Sequence, residues 1–311
     1  CLSVANRVTY FLEDFILEGG KVGYGGAYLA GQRMIGRAVL VQIPGNLVEV
    51  AADPAVLGCE LPDSGKLHIP DSILSLAENQ NGIILVTGAA GSGKSTTLTC
   101  MIDKINSERP GHIVTIEDPI EFLHKHKKSI ISQREIGIDT ESYSDALRAA
   151  LRQSPNVILL GEMRDNETMS IAMTAAETGQ LVLSTLHTVG AANTVDRIID
   201  GFPTNQQQQI RMQLSMVLKA VISQQLLPDT NGTLYPVFEV MVVNNAIRTM
   251  IRENKTHQIE TVMQTTPGMQ TMDSAVFKLF SEGIISEETA VEYASSPAMM
   301  SKKIELSRGK Q

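Results

Sequence analysis

Residues 83–96 confine this chain to a narrow set of folds. The apolar run Ile83-Ile84-Leu85-Val86-Thr87 passes into Gly88-Ala89-Ala90-Gly91-Ser92-Gly93-Lys94-Ser95-Thr96, and a helical pattern opens at about Lys94. The loop fits G-x-x-x-x-G-K-[ST] at every fixed position, in the strand–loop–helix context that gives the motif its meaning. Glycines let the main chain curl so that successive N–H groups point at one place. The helix start adds partial positive charge there. Gly88, Ala89, Ala90, Gly91, Ser92, Gly93, Lys94, Ser95 and Thr96 are therefore read as a phosphate cradle. In it the Lys94 ammonium lies near the β- and γ-phosphates and the Ser95 hydroxyl is a ligand for Mg²⁺. No N-K-x-D segment that would read guanine follows, so ATP is the expected nucleotide.

Further short apolar runs follow at Ile113-Val114-Thr115-Ile116, Val157-Ile158-Leu159-Leu160 and Leu181-Val182-Leu183-Ser184-Thr185. Helical patterns at Tyr143 to Gln153 and Asn166 to Thr178 separate them. Continuous apolar strands alternating with helices predict an α/β fold whose sheet is buried on both faces and largely parallel. Beyond Gly201-Phe202-Pro203 the reading is a helix over Gln206 to Gln225, a hairpin around Pro228-Asp229-Thr230-Asn231-Gly232, and helices to the end. Upstream, Val39-Leu40-Val41-Gln42-Ile43-Pro44 and Leu47-Val48-Glu49-Val50 read as short strands, Gly19 to Gly31 as loop, and Asp71 to Leu76 as a helix. Two units are expected: a small N-terminal domain with its linker over 1–75, and a nucleotide-binding domain with a C-terminal helical region over 76–311.

Hydrolysis needs a metal and a positioned water. In a doubly wound sheet the carboxylates that serve them stand at the strand tips beside the cradle. Glu117-Asp118-Pro119-Ile120-Glu121 closes the second run and Gly161-Glu162-Met163-Arg164-Asp165 the third, and any of these acids could orient water or hold Mg²⁺ through a water. Asp at a strand-to-helix turn is also a common N-cap. His187 ends the fourth run, in Ser184-Thr185-Leu186-His187-Thr188, where it could sense a γ-phosphate. Arg134, Arg148 and Arg152 are candidates to neutralise developing charge, from the same or an adjacent subunit. Arg148 and Arg152 are four apart and so share a helix face.

The net charge is −8, which argues against direct nucleic-acid binding. Cys1, Cys59 and Cys100 form no CxxC pair, which speaks against a zinc ribbon and for a reducing compartment, the cytoplasm. No run is long enough to span a bilayer and no signal peptide is read. Opening at Cys1 rather than Met, the numbered chain reads as a fragment or a processed form.

Taken together these motifs resemble the secretion and pilus motor ATPases, hexameric enzymes with a RecA-like P-loop core. Gly88 to Thr96 resembles their Walker A, Thr115 to Phe122 their acidic "Asp box", Gly161 to Asp165 their Walker B and Thr185 to Thr188 their "His box". The resemblance runs from about residue 80 to about 285. It implies that Glu121 is the general base, that Glu162 is the Walker B residue linked to Mg²⁺, directly or through water, and that His187 lies near the γ-phosphate. Ala246-Ile247-Arg248-Thr249-Met250-Ile251-Arg252-Glu253 and Gly268 to Asp273 resemble the branch that powers type IV pilus retraction and twitching motility. That branch implies a homo-hexamer acting on an inner-membrane pilus platform protein, peripheral to the membrane at its cytoplasmic face. It also implies a PAS-like N-terminal domain, which residues 1–65 match poorly. Type II secretion, conjugation and DNA-uptake motors are the alternatives within the class. A nucleotide-binding scaffold without turnover and a RecA-type nucleic-acid motor are the alternatives outside it.

Overall fold

The computed structural model describes residues 39–43, 46–50 and 61–308. Strands β1 (Val39–Ile43) and β2 (Asn46–Val50) pair antiparallel, with Val41 opposite Val48. The loop expected over Gly19 to Gly31, and most of the expected N-terminal domain, lie outside the described residues.

From β3 (Gly82–Thr87) onward the chain builds a seven-stranded sheet. Its other strands are β4 (His112–Glu117), β5 (Ile130–Glu135), β6 (Val157–Leu160), β7 (Leu181–Leu186), β8 (Leu218–Pro228) and β9 (Leu234–Val242), in the order β5-β4-β6-β7-β3-β8-β9. All neighbours are parallel except β8 and β9, which form the antiparallel edge. The tips of β3, β4, β6 and β7 consequently end on one rim, where an open α/β sheet forms its ligand crevice.

Strand alternation divides the core into two layers. Ile83, Leu85, Val114, Ile116, Ile158, Leu160, Val182 and Val221 face one side. There they pack against α3 (Tyr143–Leu151), α4 (Asn166–Glu177), α5 (Ala191–Asp200), α6 (Thr204–Val217), α7 (Asn245–Arg252) and α8 (Ile259–Thr265). Ile84, Val86, Ile113, Leu159, Leu183 and Ile222 face the other side, against α2 (Lys94–Glu108) and the short α1 (Asp71–Leu74). Ile69, Ile73, Leu74 and Ala77 belong to this second layer, so the segment before β3 is packed onto the sheet domain. A third cluster joins Leu227 and Val237 of the β8–β9 ribbon to α9 (Met272–Ser281), α10 (Glu287–Glu292) and α11 (Pro297–Arg308).

Two elements differ from the sequence reading. The helix expected over Gln206 to Gln225 ends at Val217, and β8 begins at the next residue. Leu218, Ala220, Val221 and Ile222 are all fully buried. A short apolar run of this kind fits a helix or an inner strand equally well by period. Pairing with β3 on one side and β9 on the other decides for the strand. Strand β5 was also not read, because its Ser132, Gln133, Arg134 and Glu135 carry the polar composition of an edge.

Candidate functional site

The loop after β3 is shaped by glycines that no other residue replaces. Gly88 has φ of 142°, and a Cβ there would stand 2.2 Å from the carbonyl oxygen of Gln224 on β8. Gly93 has φ of 87° and caps α2, and a Cβ on it would stand 2.8 Å from Nε2 of Gln224. The curled main chain therefore sits directly on β8. Lys94 is buried and folds back over the loop. Its Nζ donates to the carbonyl oxygens of Gly88 (3.0 Å) and Ala89 (2.8 Å). Burial lowers the Lys94 pKa, and the negative charges of Glu162 and then Glu121 oppose that shift. Both carboxylates thus act on the cradle's ammonium. Among the described residues the buried Ser92 hydroxyl has no hydrogen-bond partner. An orphaned donor inside a glycine cradle fits an anion that would accept from it.

Glu121 stands over the first turn of α2, and the Ser95 hydroxyl donates to its Oε1 at 3.0 Å. Glu121 itself is exposed and open to water. Glu117, at the end of β4, is differently placed. Its Oε1 accepts from the Thr115 hydroxyl (2.6 Å) and from Nε2 of Gln133 (3.2 Å), and its carboxylate also accepts from the main chain of Glu121. Burial pushes the Glu117 pKa from 4.5 up to about 7 against these hydrogen bonds. Glu117 is thus a support beneath Glu121, with both its burial and its hydrogen bonds tying it to its neighbours.

On the neighbouring tip, Glu162 is held between Arg164 and His187. Arg164 forms an ion pair with its Oε1, and Nε2 of His187 lies 3.4 Å from its Oε2. The Glu162 side chain is 12% exposed, whereas Arg164 and His187 are largely open, at 69% and 55%. Thr185 on β7 ties the two tips together, its hydroxyl donating to the Gly161 carbonyl at 2.6 Å. Asp165 takes the structural role open to it. It caps α4, accepting from the Thr168 N–H and hydroxyl, each at 2.8 Å.

The sheet therefore brings Lys94, Ser95, Glu121, Glu162 and His187 to one rim. The three arginines are placed differently. Arg148 pairs with Glu167 at the start of α4 (2.7 Å), and Arg152 closes α3 as an exposed C-cap. Arg134 sits on edge strand β5 opposite Ile116, separated from the cradle strand by three others. Sequence reasoning passed over Gln224, Gln133 and Arg164. Arg164 lies inside a quoted motif two residues from Glu162, and that spacing was its only signal.

Mg²⁺ favours hard oxygen ligands, keeps several waters, and is held by one or two side chains together with substrate phosphates. The Ser95 hydroxyl with the nearby Glu162 and Glu121 carboxylates fits that requirement. Among the described residues no group of three or more His, Cys, Asp or Glu is preassembled to hold a metal.

The Glu117 shift carries a pH prediction. A carboxyl whose folded pKa is raised takes up protons on folding, so its contribution to stability is full below the unfolded value near 4.5 and is lost as pH rises through about 7. Glu117→Gln is expected to flatten the decline in stability across that window. Urea unfolding of both proteins at pH 5 and pH 8 measures it, and equal pH dependence in the two would refute the assignment.

Residues 66–233 match the sequence profile of the family described as type II/IV secretion system protein. The chain is 52% identical over 264 residues to a "Twitching motility protein" of Neisseria gonorrhoeae, covering 82% of this chain and 70% of that one. It is 50% identical over 218 residues to the "Type IV pilus retractation ATPase PilT" of Pseudomonas aeruginosa, covering 70% of this chain and 63% of that one. The chain thus spans less than two thirds of the Pseudomonas relative. Among solved structures, that of the pilus retraction motor PilT with bound ADP superposes with a TM-score of 0.74 at 51% identity, covering 78% of this chain and 70% of that one. Over a parallel sheet whose P-loop faces two carboxylate-bearing strand tips, this likeness settles the family: the chain belongs to the type II/IV secretion system proteins.

Proposed function

We propose that this chain binds and hydrolyses ATP as a motor of type IV pilus retraction, working as a ring of six copies on a membrane-embedded platform protein. The observation that carries the chemistry is the 3.0 Å hydrogen bond from Ser95 to Glu121. It puts a carboxylate over the first turn of an anion-binding helix, next to the Lys94 ammonium. The cargo rests on likeness to proteins named for twitching motility and pilus retraction, and on the segment from Ala246 to Glu253.

On this reading the triphosphate takes the place of the Gly88 and Ala89 carbonyls as the partner of Lys94 and receives the N–H groups of the loop. Ser95, and Glu162 through water, would hold Mg²⁺, which when bound neutralises charge on the β- and γ-oxygens. Released from the Ser95 hydroxyl, Glu121 would be free to accept a proton from the attacking water. Arg164 and His187 keep the Glu162 carboxylate oriented from either side, and His187 is open enough to meet the γ-phosphate. Loss of that phosphate removes its contacts with Lys94 and His187, a change able to move the helices attached to those strand tips.

Two measurements on purified protein test the reading. Phosphate release from ATP with Mg²⁺ is expected, and sedimentation is expected to show a sixfold assembly. Return of twitching to a retraction-deficient strain carrying this gene would assign the cargo. ATP turnover without return of motility would leave the enzyme and reject the cargo.

A further inference from the structure

Gln224 lies on β8, on the side of the cradle strand away from the carboxylates, and 127 residues from the helix turn it contacts. β8 runs parallel to β3 with Thr87 opposite Ser223, so Gln224 is level with Gly88. The residue is 3% exposed. Its carbonyl oxygen fills the space where Gly88 would carry a side chain, and its Nε2 fills that space at Gly93. Its Oε1 accepts the hydroxyl of Thr97, fully buried in the first turn of α2, at 2.7 Å. One side chain with its own main chain thus touches the beginning, the end and the following helical turn of the loop. Its Nε2 donates to no atom among the described residues.

From this geometry we infer that Gln224 is a positioning residue for the nucleotide. It sets the curl of the loop from behind, so that the loop amides are aimed before the anion arrives. This rests on the phosphate-cradle reading and deepens it, and it is independent of what the motor pulls. Glutamine suits the place because it accepts from Thr97 while presenting a neutral amide to Gly93. Glutamate would keep the acceptor but bring a negative charge behind an anion site. Methionine would keep the volume but leave the buried Thr97 hydroxyl without a partner. The neighbouring Ser223 points to the opposite face, where its Oγ accepts the N–H of Gly190 (3.0 Å) in the chain after His187. It therefore serves as a control on the same strand.

The test is ADP affinity by calorimetry, with kcat and KM for ATP hydrolysis measured alongside, for Gln224→Glu, Gln224→Met, Thr97→Val and Ser223→Ala. Gln224→Glu is expected to weaken ADP by more than about tenfold, and Gln224→Met and Thr97→Val each by about three- to tenfold, the scale of one buried hydrogen bond. KM should rise by more than kcat falls, and Thr97→Val should add little in the Gln224→Met background. Ser223→Ala should leave ADP affinity within about twofold. Folded Gln224 variants that bind ADP as the unaltered protein does would overturn the inference, as would Ser223→Ala weakening ADP equally. Should the Gln224 variants not fold, unchanged affinity in Thr97→Val would overturn it alone. Absence of ADP binding by the unaltered protein would instead reject the cradle reading beneath it.

Discussion

Lys94→Ala abolishes useful nucleotide binding: ADP affinity is expected to fall by about a hundredfold or more, and ATP hydrolysis to disappear at ordinary ATP concentrations. The ammonium is buried at the cradle and already makes two hydrogen bonds, both to loop carbonyls. A nucleotide would take it over as a charge-assisted donor, a bond worth about 1.5–3 kcal/mol for each phosphate oxygen it reaches. Two such bonds account for the expected loss. Lys94→Arg is not expected to restore binding, because a planar fork does not fit a pocket built for a point charge. Calorimetric titration with ADP measures the effect directly, and the sheet should remain folded by circular dichroism. Near-normal ADP binding by Lys94→Ala would remove the loop from the site altogether.

Glu121→Gln is expected to separate binding from turnover. Loss of a general base lowers kcat by about 10²- to 10⁴-fold. ADP affinity should stay close to that of the unaltered protein, because a glutamine oxygen still accepts the Ser95 hydroxyl. The contrast with Glu117 makes this decisive. Spacing along the chain left Glu117 and Glu121 as rivals at the same strand tip. The structure gives the Glu117 oxygens to Thr115, Gln133 and the main chain, and leaves Glu121 exposed beside Ser95. Glu117→Gln should therefore cost much less in kcat than Glu121→Gln when phosphate release is followed at saturating ATP. The reverse ranking would move the general base to Glu117.

The Glu239 carboxylate is one of the links between the C-terminal helices and this rim. Glu239, directly across from Ser223 on the β8–β9 ribbon, accepts the N–H of Ala191 (2.5 Å) and that of Met272 (3.1 Å). It thereby ties the start of the helix after His187 to the start of α9. Burial raises its pKa, and these two main-chain donors oppose the rise.

Much of this molecule was legible in its residues. Gly88, Gly91 and Gly93 announce positive φ, Lys94 at the end of such a loop announces an anion site, and the apolar runs at 83, 113, 157 and 181 announce inner strands of a parallel sheet. Each of those signals is local, set by backbone sterics, strand burial and the chemistry of a few adjacent residues. A parallel sheet puts consecutive strand tips on one rim, which makes Glu117, Asp118, Glu121, Glu162 and Asp165 candidates alike, and only the family resemblance singles out Glu121 and Glu162.

What the residues left open depended on partners far away in the chain. The run from Leu218 to Gln225 suits a helix or a strand until β3 and β9 lie on either side of it. Only that pairing turns Gln224 toward Thr97. Glu117 and Glu121 carry the same group, and burial with hydrogen bonding alone made one a support and left the other beside Ser95. Arg148 looked available until Glu167 came to meet it across two helices. Sequence fixes which chemical groups are present and how the nearby backbone bends, whereas tertiary packing decides which of them remain unpaired, dry or open to water.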